Sequence, residues 1–185
     1  MLVPEEDAAL FHRLYPMVLR YAAASSKEKS LIKSLTPPKV SSEAAVKARE
    51  LLFSKPSLIK KFVLANPEKL GQDELALVRE WEHFRIGKFI IERSLKKHTI
   101  FLEWTDDPTG YGVLGLNSPI EEMIGYERLP VVVNTVLVPW KGKIVHDGLF
   151  AMMPISFGSG IRRTFKESYM EAKSRGIVTS LASQT

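Results

Sequence analysis

The sequence predicts an α+β fold: a helical N-terminal half, then a mostly antiparallel sheet of five or six strands, then a C-terminal helix. Three observations predict it. Up to residue 87 the apolar residues recur every three or four positions, the period of a helix with one buried face. Beyond residue 87 short runs rich in Ile, Val, Phe and Thr alternate with turn signals. Residues 160–175 then return to helical spacing, with basic residues in the last turn and Gly176 just past the end. Helices first and strands second is the α+β order. The division gives a helical region over 1–87, either packed on the sheet or apart from it, and an antiparallel α+β domain over 88–185.

The elements follow in order. Leu10, Phe11, Leu14, Met17, Val18 and Tyr21 form one stripe of a helix over 6–24, which Pro16 should kink or divide. Residues 25–41, rich in Ser and Lys and containing Pro37-Pro38, read as a linker with one helical turn near Leu31. Ser42 can cap a helix to Phe53, and Ser57 a shorter one ending before Asn66-Pro67. Asn66 can cap a further turn with Pro67 at its first position. A stronger helix runs from Gln72 to about Phe84, with Leu77, Val78, Trp81 and Phe84 as its stripe. Strands are predicted at 88–95 and 99–104, a hairpin around Lys96, Lys97 and His98, then at 111–116 after the turn Asp106 to Gly110. A short helix over 119–125 starts at Ser118-Pro119. Strands at 130–138 and 143–149 flank a turn whose Gly142 permits positive φ. A sixth strand is predicted at 155–157, a helix at 160–175 capped by Ser159, and an extended segment or tail at 177–181.

Composition narrows the function classes. A chain of 185 residues buries roughly 70% of its unfolded surface and needs no staple. With no cysteine, disulfides, cysteine zinc sites and a cysteine nucleophile are excluded. The four histidines show no metal-ligand spacing, and neither a metal nor another cofactor is expected. The acidic start MLVPEEDAAL lacks the order of a signal peptide, and no apolar run reaches the ~20 residues that span a bilayer, so a cytoplasmic protein without membrane insertion is expected. The net charge of +5 is uneven: residues 27–61 hold nine basic and three acidic residues, and the rest of the chain is close to neutral. Such a segment suits phosphate, an acidic protein or an anionic surface, or is simply a solvated helical face.

One stretch carries a resemblance. Leu129-Pro130-Val131-Val132-Val133-Asn134-Thr135-Val136-Leu137-Val138-Pro139-Trp140-Lys141-Gly142-Lys143-Ile144-Val145-His146-Asp147-Gly148-Leu149 resembles a hairpin shared by uncharacterised bacterial and archaeal proteins. Tyr111 to Leu116 and Phe157 to Arg163 resemble companion segments, so the likeness covers about the C-terminal 75 residues. It brings no established activity. Some similar proteins carry a Cys-rich zinc-binding tail of the SEC-C type, which this chain lacks. Relatives often place Glu where this chain has Asn134, which argues against a carboxylate mechanism at that point here.

Three segments could carry chemistry. Gly158-Ser159-Gly160 entering a helix with Arg162 and Arg163 in its first turn is an anion-binding pattern, because free N–H groups and the helix dipole favour negative charge. It equally reads as a capped strand-to-helix turn with solvated arginines. It lacks the GK[ST] of a phosphate loop. In the hairpin, a two-residue turn at Lys141-Gly142 sets 137 opposite 146, puts Asp147 on the face of Asn134 and turns His146 away. Asn134, Asp147 and Thr135 then form either a polar site or a strand's wet face. The third segment is the pair Glu121-Glu122, of which one carboxylate, Glu121, could join Asp147 on Mg²⁺. Trp140 beside Lys141 and Lys143 would suit a partner or nucleic acid if exposed, and is a packing anchor if it folds back.

The leading expectation is a non-catalytic binding or accessory domain. It would use the basic helical segment or the Trp140-Lys141-Lys143 edge to hold an acidic protein or nucleic acid. The alternative is an enzyme acting on a phosphorylated or nucleotide substrate, with its anion site at Gly158 to Arg163 and Asp147 as acid, base or metal ligand. A third is a structural subunit with an exposed apolar helical face.

Overall fold

The computed structural model describes residues 1–26, 28–36, 40–125 and 128–181. It divides into two compact units, Glu6–Glu82 and a second made of Met1–Glu5 with His83–Thr185.

The helical unit holds α1 (Glu5–Ser25), α2 (Lys29–Ser34), α3 (Ser42–Ser54), α4 (Ser57–Ala65), α5 (Gln72–Glu80) and a 3-10 turn, Trp81–His83. Pro16 does not divide α1: the helix runs through it, with Phe11, Leu14, Tyr15, Val18 and Leu19 buried on both sides. Burial of that stripe outweighs the one backbone bond proline removes. Phe11 stacks on Tyr15 at 5.1 Å between ring centres, and the Trp81 ring lies 5.5 Å from both. The linker expected over 25–41 contains the six-residue α2; Pro37 and Pro38 lie outside the described residues. Ser41, not Ser42, caps α3 by accepting the Ala44 N–H at 3.3 Å. Asn66 closes α4 in the left-handed region, and its amide brackets the Leu70 backbone at 2.8 and 3.0 Å.

The second unit is built on β1 (Arg85–Ser94), β2 (Thr99–Glu103), β3 (Gly110–Leu114), α6 (Ile120–Ile124), β4 (Val131–Trp140), β5 (Lys143–His146), β6 (Ala151–Met152) and α7 (Ser159–Arg175). The sheet is mixed, not the mostly antiparallel one expected. β1 pairs with β2, β2 with β3 and β4 with β5 antiparallel, but β3 and β5 run parallel. β1 also pairs with β4, from Arg85↔Leu137 to Ile91↔Val131. The pairings β1–β2–β3–β5–β4–β1 therefore close a five-stranded ring, with α6 between the third and fourth strands. A register shift between Ile91 and Arg93 bulges β1, the strand that bonds to both β2 and β4.

Closure explains the burial. Phe89, Ile91, Phe101, Tyr111, Val113, Val133, Leu137 and Ile144 fill one core with Ile120 and Ile124 of α6 and Leu181 from the C-terminal segment. Residues of opposite parity, Ile90, Ile100, Leu102 and Val132, pack under Phe157 and with Phe165, Tyr169 and Ala172 of α7. β1 and β2 are thus covered on both faces at their centres, so they read as apolar runs rather than as alternation. Val178 lies parallel to Tyr111, exchanging bonds of 2.8 and 2.9 Å with Gly112 and Gly110. Val3 donates to the Gly115 carbonyl at 3.1 Å, which ties the first residues to this unit rather than to the helical one.

Element ends differ from expectation where glycine intervenes. β5 stops at His146 rather than 149, because Gly148 turns the chain at a φ of 84°. The sixth strand is Ala151–Met152, not 155–157. Gly158, not Ser159, occupies the cap position of α7. Among the described residues no helix is long and apolar enough to cross a membrane.

Candidate functional site

The β1–β2 hairpin and the start of β5 together make a cleft. Ser94 pairs with Thr99, and the Leu95 N–H bonds to the His98 carbonyl at 2.9 Å, leaving Lys96 and Lys97 exposed at the tip. His98 reaches back over β3. A methyl group placed on Gly112 would stand 2.8 Å from the imidazole Cγ, so the ring rests on bare backbone that only glycine provides. Across β3, Lys141 and Gly142 turn the chain at φ values of 46° and 73°, the paired positive values of a two-residue hairpin turn. The Val113↔Ile144 pairing then brings Lys143 alongside Gly112. Lys97, His98, Gly112 and Lys143 line one cavity of about 580 Å³. Burial, and then the charge of Lys97, hold the His98 imidazole below its ordinary pKa. It is therefore neutral at neutral pH, a flat ring flanked by exposed ammonium groups.

The hairpin register is as the sequence predicts, with Leu137 opposite His146. The side chains beyond it are not. Asp147 turns to Thr135, accepting its hydroxyl at 3.2 Å and the Leu149 N–H at 3.2 Å. Asn134 stays exposed between Lys88 and Ala151. The expected Asn134–Asp147 pair is replaced by a buried Thr135–Asp147 bond that closes the loop after β5. His146 is buried; its Nδ1 accepts the Gly148 N–H at 3.0 Å and its ring stacks on Phe150 at 4.3 Å.

Glu121 is also buried and accepts the Thr99 hydroxyl at 3.3 Å. Burial raises its pKa, but its own backbone N–H, the Ser94 hydroxyl, the amino terminus and Thr99 together hold it below the usual carboxylate range. Among the described residues no three His, Asp or Glu gather as metal ligands.

The Gly158 to Arg163 segment does not hold its arginines over the helix entry. Arg162 donates from Nε to the Phe157 carbonyl at 3.0 Å and from Nη1 to the Leu129 carbonyl at 2.8 Å. Arg163 runs along α7 to Glu167 at 2.9 Å. The cavity that Arg162 lines includes neither Arg163 nor Asp147.

Trp140 is only 1% exposed, so the expected partner surface keeps Lys141 and Lys143 but loses its aromatic. In the basic helical segment Arg49 is buried and Lys47 pairs with Glu43 at 3.2 Å. The exposed lysines that remain there are spread over α2, the junction of α3 with α4, and α4; Lys27 and Lys39 lie outside the described residues. Sequence reasoning missed His98 and Gly112 as site residues. Two lysines and a histidine in one hairpin were the available signal.

No family model matches the chain, and neither a curated protein nor a solved structure matches it.

Proposed function

We propose that this protein is a non-catalytic binding module whose barrel holds a single-stranded nucleic acid in the cleft between the β1–β2 turn and β5. The observation that carries the reading is the convergence of Lys97, His98 and Lys143 over the bare backbone of Gly112. The architecture supports it. A closed five-stranded barrel with a helix between its third and fourth strands is the plan of the OB-fold, whose β2–β3 face and flanking β1–β2 and β4–β5 loops take up oligonucleotides and oligosaccharides. Fold alone does not assign function, and the side chains in those loops supply the chemistry. Lys96, Lys97, Lys141 and Lys143 are exposed there, and a phosphodiester backbone is the anion that a track of spaced lysines recognises. His98 offers a neutral ring on which a base can stack.

α7 covers the outer face of β1 and β2. Contact is therefore confined to the end of the face where β5 lies alongside β3, which suits a short strand rather than a long track. The reading is not extended to a phosphoryl-transfer enzyme. Arg162, Arg163 and Asp147 are each engaged within the fold, on carbonyls, Glu167 and Thr135.

The test is fluorescence anisotropy with a short labelled single-stranded DNA and its RNA counterpart at several salt concentrations. Binding should weaken with salt, with a slope of roughly −0.7 per neutralised phosphate. Lys97→Glu with Lys143→Glu should weaken it strongly. Absence of binding at low salt, or binding that salt leaves unchanged, would overturn the reading; capture of an acidic polypeptide instead of either oligonucleotide would point to a protein partner.

A further inference from the structure

A second concavity lies along β6, and nothing in the cleft uses it. We propose that the groove formed by β6 and residues 153–157 docks an extended peptide segment in which acidic and apolar residues alternate.

β6 is the last strand in the sheet order and, among the described residues, pairs only with β4, through Val133↔Met152 and Asn134↔Ala151. Its other edge is open among the described residues. An open edge presents backbone N–H and C=O groups that an extended peptide can complete as an added strand. Beside it lies a cavity of about 660 Å³, lined by Met152, Met153, Ile155 and Phe157 together with Arg128 and Arg162. Large apolar side chains stand in water there: Met152 is 47% and Ile155 44% exposed. Methionines are unbranched and adapt to apolar side chains of differing shape.

Charge selects the occupant. No carboxylate is among the residues that line the cavity, so its fixed charge is positive. Arg128 is exposed and makes no ion pair or side-chain hydrogen bond among the described residues. Arg162 uses Nε and Nη1 on carbonyls and contributes its positive charge, so the paired donors for a carboxylate come from Arg128. A planar guanidinium matches a carboxylate with paired N–H donors. A nucleic acid would waste the apolar half of the groove. A peptide alternating the two residue types sets its apolar side chains on one face and its carboxylates on the other.

The experiment labels the methionine methyl groups of the full chain with ¹³C. The protein is titrated with a short end-capped peptide that alternates leucine and glutamate, and separately with one carrying lysine in place of glutamate. The Met152 and Met153 signals should move with the first peptide, while those of Met17 and the equally exposed Met170 stay. The lysine peptide should leave all of them in place. Arg128→Glu, an exposed substitution, should weaken binding of the glutamate peptide at least tenfold. Failure of the glutamate peptide to move Met152 and Met153, equal binding of the lysine peptide, or an Arg128→Glu protein that binds as before would each overturn the proposal.

Discussion

At the entry to α7 and at the cleft over Gly112, glycine backbone meets two cationic side chains, but the cations differ in what already holds them. Arg162 and Arg163 are bonded to two carbonyls and a glutamate. Lys97, in the β1–β2 turn, and Lys143, at the start of β5, are exposed and line a common cavity. Arg162 ties α7 to the segment before β4 and Arg163 pairs along α7, whereas the two lysines have no such tie among the described residues. A basic motif next to glycines therefore says little about anion binding until the partners of each cation are known. Guanidinium groups, with several donors in a rigid fork, are the more readily drawn into such internal ties.

Charge reversal should separate the two places most sharply. Lys97→Glu with Lys143→Glu is expected to reduce affinity for a short single-stranded oligonucleotide by about 100-fold at low salt, since two attractive phosphate contacts become repulsive. Arg163→Glu should leave it nearly unchanged. Anisotropy titrations of both proteins check this. Equal losses would mean that net charge, not the cleft, governs binding.

Gly112→Ala comes next. The added methyl would lie 2.8 to 3.0 Å from the Cγ, Nδ1 and Cδ2 of His98, so the imidazole must leave β3. Overpacking of this kind costs about 1–3 kcal/mol. Urea denaturation should show the loss, and His98→Ala should relieve much of it in the double variant. A simple sum of the two single effects would show that the ring does not rest on Gly112.

Arg162→Ala should cost about 1–2 kcal/mol of stability, because two charge-assisted bonds to carbonyls disappear from an exposed site. Arg163→Ala removes only an exposed pair one helical turn apart, 2.9 Å long, worth about 0.3–0.5 kcal/mol. Thermal unfolding of the two variants side by side measures the difference. Equal shifts would show that Arg162 is not a tie between α7 and Leu129.

The sequence made local structure legible and hid the pairings that depend on distant strands. The turn at Lys141-Gly142 and the opposition of Leu137 to His146 follow from turn chemistry and period two, which neighbouring residues encode. The parallel pairing of β3 with β5 joins segments separated by α6 and β4, and no periodicity records it. The cleft depends on that pairing, so Lys143 and His98 could be read as members of separate hairpins but not as neighbours. Trp140 misled as well. It sits at the end of a strand beside a turn, where exposure is common, yet it is buried. Asp147 was legible as a polar residue near β4, but Gly148 takes the chain off the strand and carries its carboxylate to Thr135.

The smallest effect tests the cleft through its own titrating group. Burial first, and then the Lys97 charge, lower the His98 pKa from its ordinary value near 6.5. The folded state therefore binds fewer protons than the unfolded chain as pH falls through that region. The sign follows from linkage: this contribution to stability is complete above the unfolded pKa and declines as pH drops toward the folded one. Lys97→Met removes the second cause and leaves the first, so the His98 pKa should rise partway toward its ordinary value. A bound phosphodiester should raise it further by placing negative charge beside the ring, and affinity should then increase as pH falls below neutrality. Imidazole C–H chemical shifts, followed against pH with and without oligonucleotide, report both changes. If an oligonucleotide binds and the His98 titration stays where it was, the strand lies elsewhere on the barrel.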